Sequence, residues 1–374
     1  MRDPILLTPG PLTTTLATKV AMLQDRGSWD ADFNALTTDV CRRLADVIHG
    51  AGAYVCVPLQ GSGTFAVEAA VGTLVPRNGK LLVLVNGAYG ERMARLARVM
   101  GRQVAALDFG ETSPVDPGRV AAALDQDLAV THVGIIHCET STGMRNPLEE
   151  VAQVVRDHGR RLLVDAMSSF GVLPLDARDI PFQAVVASSN KALEGVPGMG
   201  YVLVPEDDLL AAKGRSHSLS LDLHDQYVYL RQTGRWRFTP PTHVVSALAA
   251  ALDQFEAEGG QPGRLARYQA NCDRLLAGLE ALGLESFLPR EVQAPVIVTV
   301  CAPEHPAYAF QDLYQRVKAA GFILYPGKLT ALETFRVGCI GAIGSAEVDG
   351  ALHAIADALR AMGVPMPVFE GDRP

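Results

Sequence analysis

Asp165 closes the apolar run RLLVDA that begins at Arg161, and Lys191 stands just beyond the run AVVASS that begins at Ala184. Both runs read as strands. In open α/β sheets, ligands gather beyond the carboxyl ends of strands. Two neighbouring strands therefore offer a carboxylate and an amine at one edge. Such an amine can form an imine with a carbonyl and later move a proton. Such a carboxylate can keep a heterocyclic nitrogen protonated, so that a ring accepts electrons. Pyridoxal 5′-phosphate (PLP) chemistry needs this pair. Singly, a solvated lysine and a capping aspartate are the blander readings. Their placement at two strand ends tips the balance toward chemistry.

Other residues could complete such a site. Gln60-Gly61-Ser62-Gly63-Thr64 lies between a strand and a helix. Its glycines allow close backbone approach, and its hydroxyls precede a helix N-terminus, which suits a phosphate. The same residues read equally well as a simple helix cap. Tyr89, in Asn86-Gly87-Ala88-Tyr89-Gly90, follows the next strand. It could stack on a ring, or be a half-buried turn tyrosine. Arg336 sits in the apolar run Thr334-Phe335-Arg336-Val337-Gly338. An arginine there needs an anion, either a buried carboxylate or a substrate.

Several patterns point nowhere. Ser188-x-x-Lys191 has no Ser-Asp-Asn or Lys-Thr-Gly to follow it, so an acyl-enzyme reading is weak. Gly195-x-x-Gly198-x-Gly200 precedes a strand, which argues against a dinucleotide fingerprint. His132 and His137 flank an apolar strand without ligand-spaced partners, and read as structural.

The elements that must position these residues alternate. Strands are expected at 53–58, 81–86, 103–109, 132–138, 161–166, 184–188 and 200–204. Helices are expected between them, after Thr64, at 91–100, 117–125 and 147–158. Continuous apolar strands alternating with helices imply a mostly parallel sheet covered on both faces. After Thr242 the texture changes. Helices at 244–258 and 264–282 flank a Gly259-Gly260-Gln261-Pro262-Gly263 break. Strands at 296–301, 323–325 and 334–339 and helices at 310–320 and 346–362 complete a smaller α+β unit. The expected division is a large unit over 1–258 and a small one over 259–374.

Composition sets the outer limits. The chain has 374 residues, is 48% hydrophobic and carries a formal net charge of −8. Without a basic run, it is a poor candidate for nucleic acid or anionic membranes. None of its six cysteines forms a Cys-x-x-Cys pair, so neither a disulfide framework nor a zinc site is expected. Residues 1–12 contain three prolines and no signal-peptide pattern, and no uncharged run reaches spanning length. A cytoplasmic enzyme is expected.

Together these stretches resemble the class V aminotransferases of PLP fold type I. The resemblance runs from Leu6 to about Met362. It is carried by LLTPGPLTTT at Leu6, QGSGTFAVEA at Gln60, NGAYGERM at Asn86, HCETSTGMRNPL at His137, LLVDAMSSFG at Leu162, ASSNKALEGVPGMGYVLV at Ala187 and FRVGCIGAIG at Phe335. Two further stretches are more specific: MLQDRGSWDADFN at Met22, and SLSLDLHDQ at Ser218 with GRWRFTPPTHVVSAL at Gly234. They resemble the branch that moves an amino group from 2-aminoethylphosphonate to pyruvate.

The resemblance implies a role for each residue. Lys191 carries the cofactor, Asp165 pairs with its ring nitrogen and Tyr89 stacks on the ring. Ser62, Gly63 and Thr64 bind its phosphate, helped by Asn190. Thr239 reaches that phosphate from the other subunit, so the resemblance implies a homodimer with shared sites. Thr140, or else Ser141, lies near the ring hydroxyl, and Arg336 clamps the substrate anion. Arg26, Arg215 and His217 remain further candidates for phosphonate contact. Ala192-Leu193-Glu194 departs from the expected pattern, and Glu194 adds a negative charge close to an anionic cofactor. Rival readings are an alanine–glyoxylate or serine–pyruvate aminotransferase, a cysteine desulfurase-like lyase using Cys339, and a PLP-binding protein without turnover.

Overall fold

The computed structural model describes residues 3–327 and 332–367. Seven strands form the central sheet, in the spatial order Tyr54–Gln60, Met199–Pro205, Ala184–Ser188, Arg161–Asp165, Val130–Ile136, Lys80–Val85 and Gln103–Asp108. Met199–Pro205 runs antiparallel to both its neighbours, and the remaining adjacent pairs are parallel. The sheet is therefore the mostly parallel one expected.

Period-two alternation divides each strand between two cores. Leu82, Leu84 and Val164 join Val151, Val155, Leu248 and Leu252 on one face. Leu81, Val83 and Leu163 join Val67, Val71, Met93 and Ala97 on the other. Helices cover both faces, which is why the strands tolerate no polar stripe. Local signals start some helices. Asp116 accepts from Gly118 N and Arg119 N ahead of the helix Pro117–Gln126, which has proline in its first turn.

A second sheet places Thr334–Gly338 between Ile297–Cys301 and Tyr325–Pro326, both antiparallel to it. The helices Gly260–Ala281, Phe310–Ala319 and Ser345–Ala361 accompany it, and Leu275, Leu279, Phe335, Leu352 and Ile355 share one core. We propose the division into 1–258 and 259–374; the N-terminus crosses it, because Ile5–Leu6 pairs in parallel with Phe322–Ile323 and Leu7 enters the second core.

The structure corrects several expected elements. The run expected as one strand at 323–325 is two short strands, one pairing with the N-terminus and one with Thr334–Gly338. The break between the two long helices is shorter than expected. Thr242–Ala257 ends near Gly259, and the next helix begins at Gly260 with Pro262 in its first turn. The strand expected at 132–138 ends at Ile136, and Cys138–Glu139 pairs with Met144–Arg145 in a small hairpin. Helices Ala31–Val47 and Leu223–Thr233 were not foreseen. Among the described residues, no helix is long and apolar enough to cross a membrane.

The unforeseen helix Ala31–Val47 is integral to the core, because Leu44 is fully buried in the first cluster. Leu44→Ala is expected to cost about 2–5 kcal/mol. Denaturant unfolding of the cofactor-free protein measures it.

Candidate active site

Five strands of the large sheet and one N-terminal turn converge at its carboxyl edge. Asp165 is the last residue of its strand and is buried. Its Oδ1 accepts from Met167 N at 2.9 Å. Burial pushes its pKa up to about 6; the Met167 N–H opposes that rise, Glu139 adds to it, and Lys191 and Arg92 oppose it. Asp165 lines a cavity of about 40 Å³ with Gly63, Thr64, Tyr89, Arg92 and Met167. Four of the expected site residues thus meet in one place.

The helix Gly63–Leu74 aims its N-terminus at this cavity's wall, and Met167 packs closely on its first residue. A Cβ on Gly63 would lie 2.2 Å from the Met167 sulfur. Ser62 stands at the N-cap but makes no side-chain cap bond, which leaves its hydroxyl for another acceptor. Arg92 donates to Thr64 Oγ1 at 3.4 Å and lies 4.7 Å from the Tyr89 ring centroid.

Lys191 follows the neighbouring strand. Its Nζ donates to the carbonyls of Pro9 at 2.8 Å and Gly10 at 3.2 Å. Gly10 has φ +107, and a Cβ there would lie 2.6 Å from Lys191 Cδ. The glycine in the N-terminal Thr-Pro-Gly-Pro is thus required by contact with the lysine stem. Asn190 Oδ1 accepts from the Ser188 hydroxyl at 3.1 Å.

Glu139 is the residue that sequence reasoning missed. It is fully buried, and it accepts from Tyr89 N at 3.1 Å, Gly90 N at 3.3 Å, Ser141 N at 3.1 Å and Ser141 Oγ at 2.6 Å. It occupies the positive end of the helix Ala88–Val99, where a carboxylate is favoured. Burial nonetheless raises its pKa. Arg92 and Met167 were missed as well. The signal for Glu139 was an acid directly after an apolar strand and before Thr140-Ser141.

Arg336 is fully buried on the central strand of the second sheet. Its Nη1 donates to Thr140 O at 2.6 Å and its Nε to Pro326 O at 3.0 Å. Its guanidinium lies 4.9 Å from the Tyr325 ring centroid. Nη2 is buried without a hydrogen-bond partner among the described residues. No carboxylate of the described residues lies in ion-pair reach of it. A buried, uncompensated guanidinium is costly, and an arriving anion removes the cost. Thr140 itself is buried beside this arginine.

Thr239 lies elsewhere in the protomer. It is exposed and lines a cavity of about 450 Å³ with Gly61, Phe65, Trp236 and Phe238. Other expectations concern inert groups. His132 and His137 are buried, and burial lowers each pKa to about 4, so both are neutral. Cys339 is fully buried, and its hydrogen bond with Cys272 and its burial push its thiol pKa up. It is a poor nucleophile.

Comparisons with known proteins place the chain in a family. The family model described as aminotransferase class-V matches residues 22–335. The chain belongs to the class V aminotransferases, whose cofactor is PLP. A Pseudomonas putida relative is 60% identical over 96% of this chain and 98% of its own length, and is named 2-aminoethylphosphonate–pyruvate transaminase. A Pseudomonas aeruginosa relative of the same name is 58% identical over 97% of this chain and 98% of its own. Among solved structures, alanine–glyoxylate aminotransferase from Nostoc sp. superposes with a TM-score of 0.89 at 26% identity, covering 96% of each chain.

The residues present fit PLP. A buried carboxylate with one backbone donor among the described residues suits a protonated ring nitrogen, and an uncapped helix N-terminus suits a phosphate. Ionised Asp165 is also a burden on the cofactor-free fold. A buried acid whose folded pKa exceeds its unfolded value of 3.8 costs nothing below about pH 4 and its full amount above about pH 6. Two pH units correspond to about 3 kcal/mol. Asp165→Asn is therefore expected to stabilise the cofactor-free protein by up to that amount at pH 7.5, and not at pH 4, while abolishing most turnover. Urea melts at the two pH values check the first part.

Proposed function

We propose that this chain transfers the amino group of 2-aminoethylphosphonate to pyruvate, giving phosphonoacetaldehyde and L-alanine. The observation that carries the reading is 60% identity, spread over 96% of the chain, with a relative of that name. The buried Arg336 with its unpartnered Nη2 supports it, because both substrates are anions.

Bound PLP supplies an electron sink for the carbon that bears the amine. We assign Lys191 to hold it covalently, Asp165 to its ring nitrogen and Tyr89 to its face. Ser62, Gly63, Thr64 and Asn190 serve its phosphate, and Thr140 its hydroxyl edge. Lys191 Nζ, freed when the substrate amine takes its place, would take a proton from the aminated carbon and deliver it two atoms away, to the carbon across the nitrogen. Proton transfer by one positioned group contributes roughly 10²–10⁴-fold. Asp165, ionised above about pH 6, keeps the ring nitrogen protonated through both steps. Arg336 binds the phosphonate in one half-reaction and the carboxylate in the other, since its planar fork fits either.

The working unit we infer is a homodimer in the cytoplasm, with Thr239 reaching the phosphate of the neighbouring subunit. Exposed apolar side chains support it: Leu16, Leu23, Trp29, Phe65, Leu219 and Phe238 stand on the surface, and Phe65 and Phe238 line the cavity of Thr239. A class V sibling reading, alanine–glyoxylate transfer, is favoured by the Nostoc structure alone.

The deciding experiment mixes the PLP-loaded protein with 2-aminoethylphosphonate and no keto acid. Loss of the visible absorption band, restored by pyruvate, is the expected result. Loss with L-alanine but not with the phosphonate would move the assignment to the sibling. Arg336→Lys is expected to lower kcat/KM for both substrates by roughly 100-fold. Full turnover of both by that variant excludes a shared anion clamp.

A further inference from the structure

The charge that Glu194 adds beside the lysine is taken up by a buried cluster. Glu194 is 4% exposed and holds φ +62, a left-handed backbone that residues of its kind rarely adopt. Its carboxylate accepts from Arg267 Nη2 at 2.7 Å and Tyr268 OH at 2.5 Å, and lies 3.6 Å from Arg264 Nη1. Arg264, 1% exposed, also donates to Ala192 O, inside the lysine turn. Glu258 bridges the two arginines, at 2.7 Å from Arg264 Nε and 2.6 Å from Arg267 Nε. Two cations and two anions close on themselves, so the cluster carries no net charge into the interior.

What it joins is more telling than its balance. The turn Lys191–Glu194 is closed by Glu194 N donating to Lys191 O at 2.8 Å. The helix Gly260–Ala281 grips that turn at Ala192 O and at the Glu194 carboxylate. The same helix grips the chain just beyond the Arg336 strand. Arg267 Nη1 donates to Gly341 O at 2.6 Å, and Tyr268 OH accepts from Gly341 N at 3.1 Å. From there Ala342 N donates to Thr13 O at 2.8 Å, and Gly338 N to Leu7 O at 2.9 Å. Between Leu7 and Thr13 lie Pro9 and Gly10, whose carbonyls hold Lys191 Nζ. The path is closed: the lysine's backbone and its amine are fixed against one another through the second unit.

We propose that Glu194, Arg264, Arg267 and Glu258 are positioning residues that set Lys191 in register with the strand of Arg336. None of the four lines the cavity of Asp165. The proposal rests on the reading that Lys191 carries the cofactor, and it goes beyond that reading in naming what aims the amine. A misplacement of about 1 Å at a reacting group can cost about 100-fold in rate.

The test reads the PLP-loaded protein by its visible band, titrated with pH, and by steady-state kinetics. In Glu194→Ala, the two arginines are left in excess, so the protonated form of the nitrogen on Lys191 is disfavoured. Its titration midpoint is expected to fall by at least about half a pH unit, and kcat by about 10- to 100-fold. KM for both substrates should stay within about threefold, since Arg336 is untouched. Glu194→Gln, which keeps an oxygen for Arg267 and Tyr268, should recover most of kcat. Glu258→Ala lies farther from the turn and loosens both arginines. A smaller shift in the same direction, with a roughly threefold to tenfold loss of kcat, is expected there. Should Glu194→Ala not fold, Glu258→Ala decides. A variant with a lowered melting temperature but the wild-type midpoint and kcat overturns the proposal, because a merely structural cluster behaves that way. Absence of the band in the wild-type protein is a different failure, and counts against the role of Lys191 itself.

Discussion

Asp165 keeps its carboxylate nearly out of water, where ionisation is costly and the Met167 N–H offsets only part of the cost. The surrounding architecture follows from the need to hold that charge in place. Parallel strands deliver Asp165 and Lys191 to one edge, while helices seal both faces against solvent. Arg92 and Lys191 supply positive potential from two sides. Glu139, a second buried acid, works against it. Protonation of the Asp165 carboxylate relieves the cost, and so would a cation seated beside it.

Glu139 explains how the two units share this edge. Its carboxylate fixes the backbone of Tyr89 and Gly90 and the hydroxyl of Ser141. The intervening Thr140 offers its carbonyl to Arg336. One three-residue turn, opened by the hairpin Cys138–Glu139 with Met144–Arg145, therefore spans from the first sheet to the second. The backbone of Tyr89 and the carbonyl that Arg336 binds are set by the same few bonds.

Much of this was legible in the sequence, and the exceptions have physical reasons. Most of the seven strands could be read because strands buried on both faces are continuously apolar, as the run at 81–85 is. Asp165 and Arg336 could be read because each is a charge within an apolar run, and Lys191 because it stands just past the end of one. The helix Ala31–Val47 could not, because Thr37 and Arg43 sit on its buried side and break the apolar stripe. Arg43 is accommodated there by Asp253 at 2.9 Å and Glu256 at 2.7 Å, contacts more than two hundred residues away. The two-residue strands failed for a related reason, since Phe322–Ile323 takes its partner from the N-terminus. Glu139 escaped because an acid is ordinarily solvated, and the donors it accepts from come together only once the turn has closed. The fate of Glu194 was likewise set by a helix far along the chain.

The pairing of Ile5 with Phe322 and Leu6 with Ile323 has a temporal consequence. A nascent chain emerges from its N-terminus, so the first strand leaves the ribosome long before its partner exists. The large sheet can assemble while Pro9 and Gly10 still lack the scaffold that presses them onto the lysine. Lys191 is thus left unclasped until synthesis has passed the second sheet. The order of translation delays completion of the surroundings of the Lys191 amine until residues 322–342 have been made.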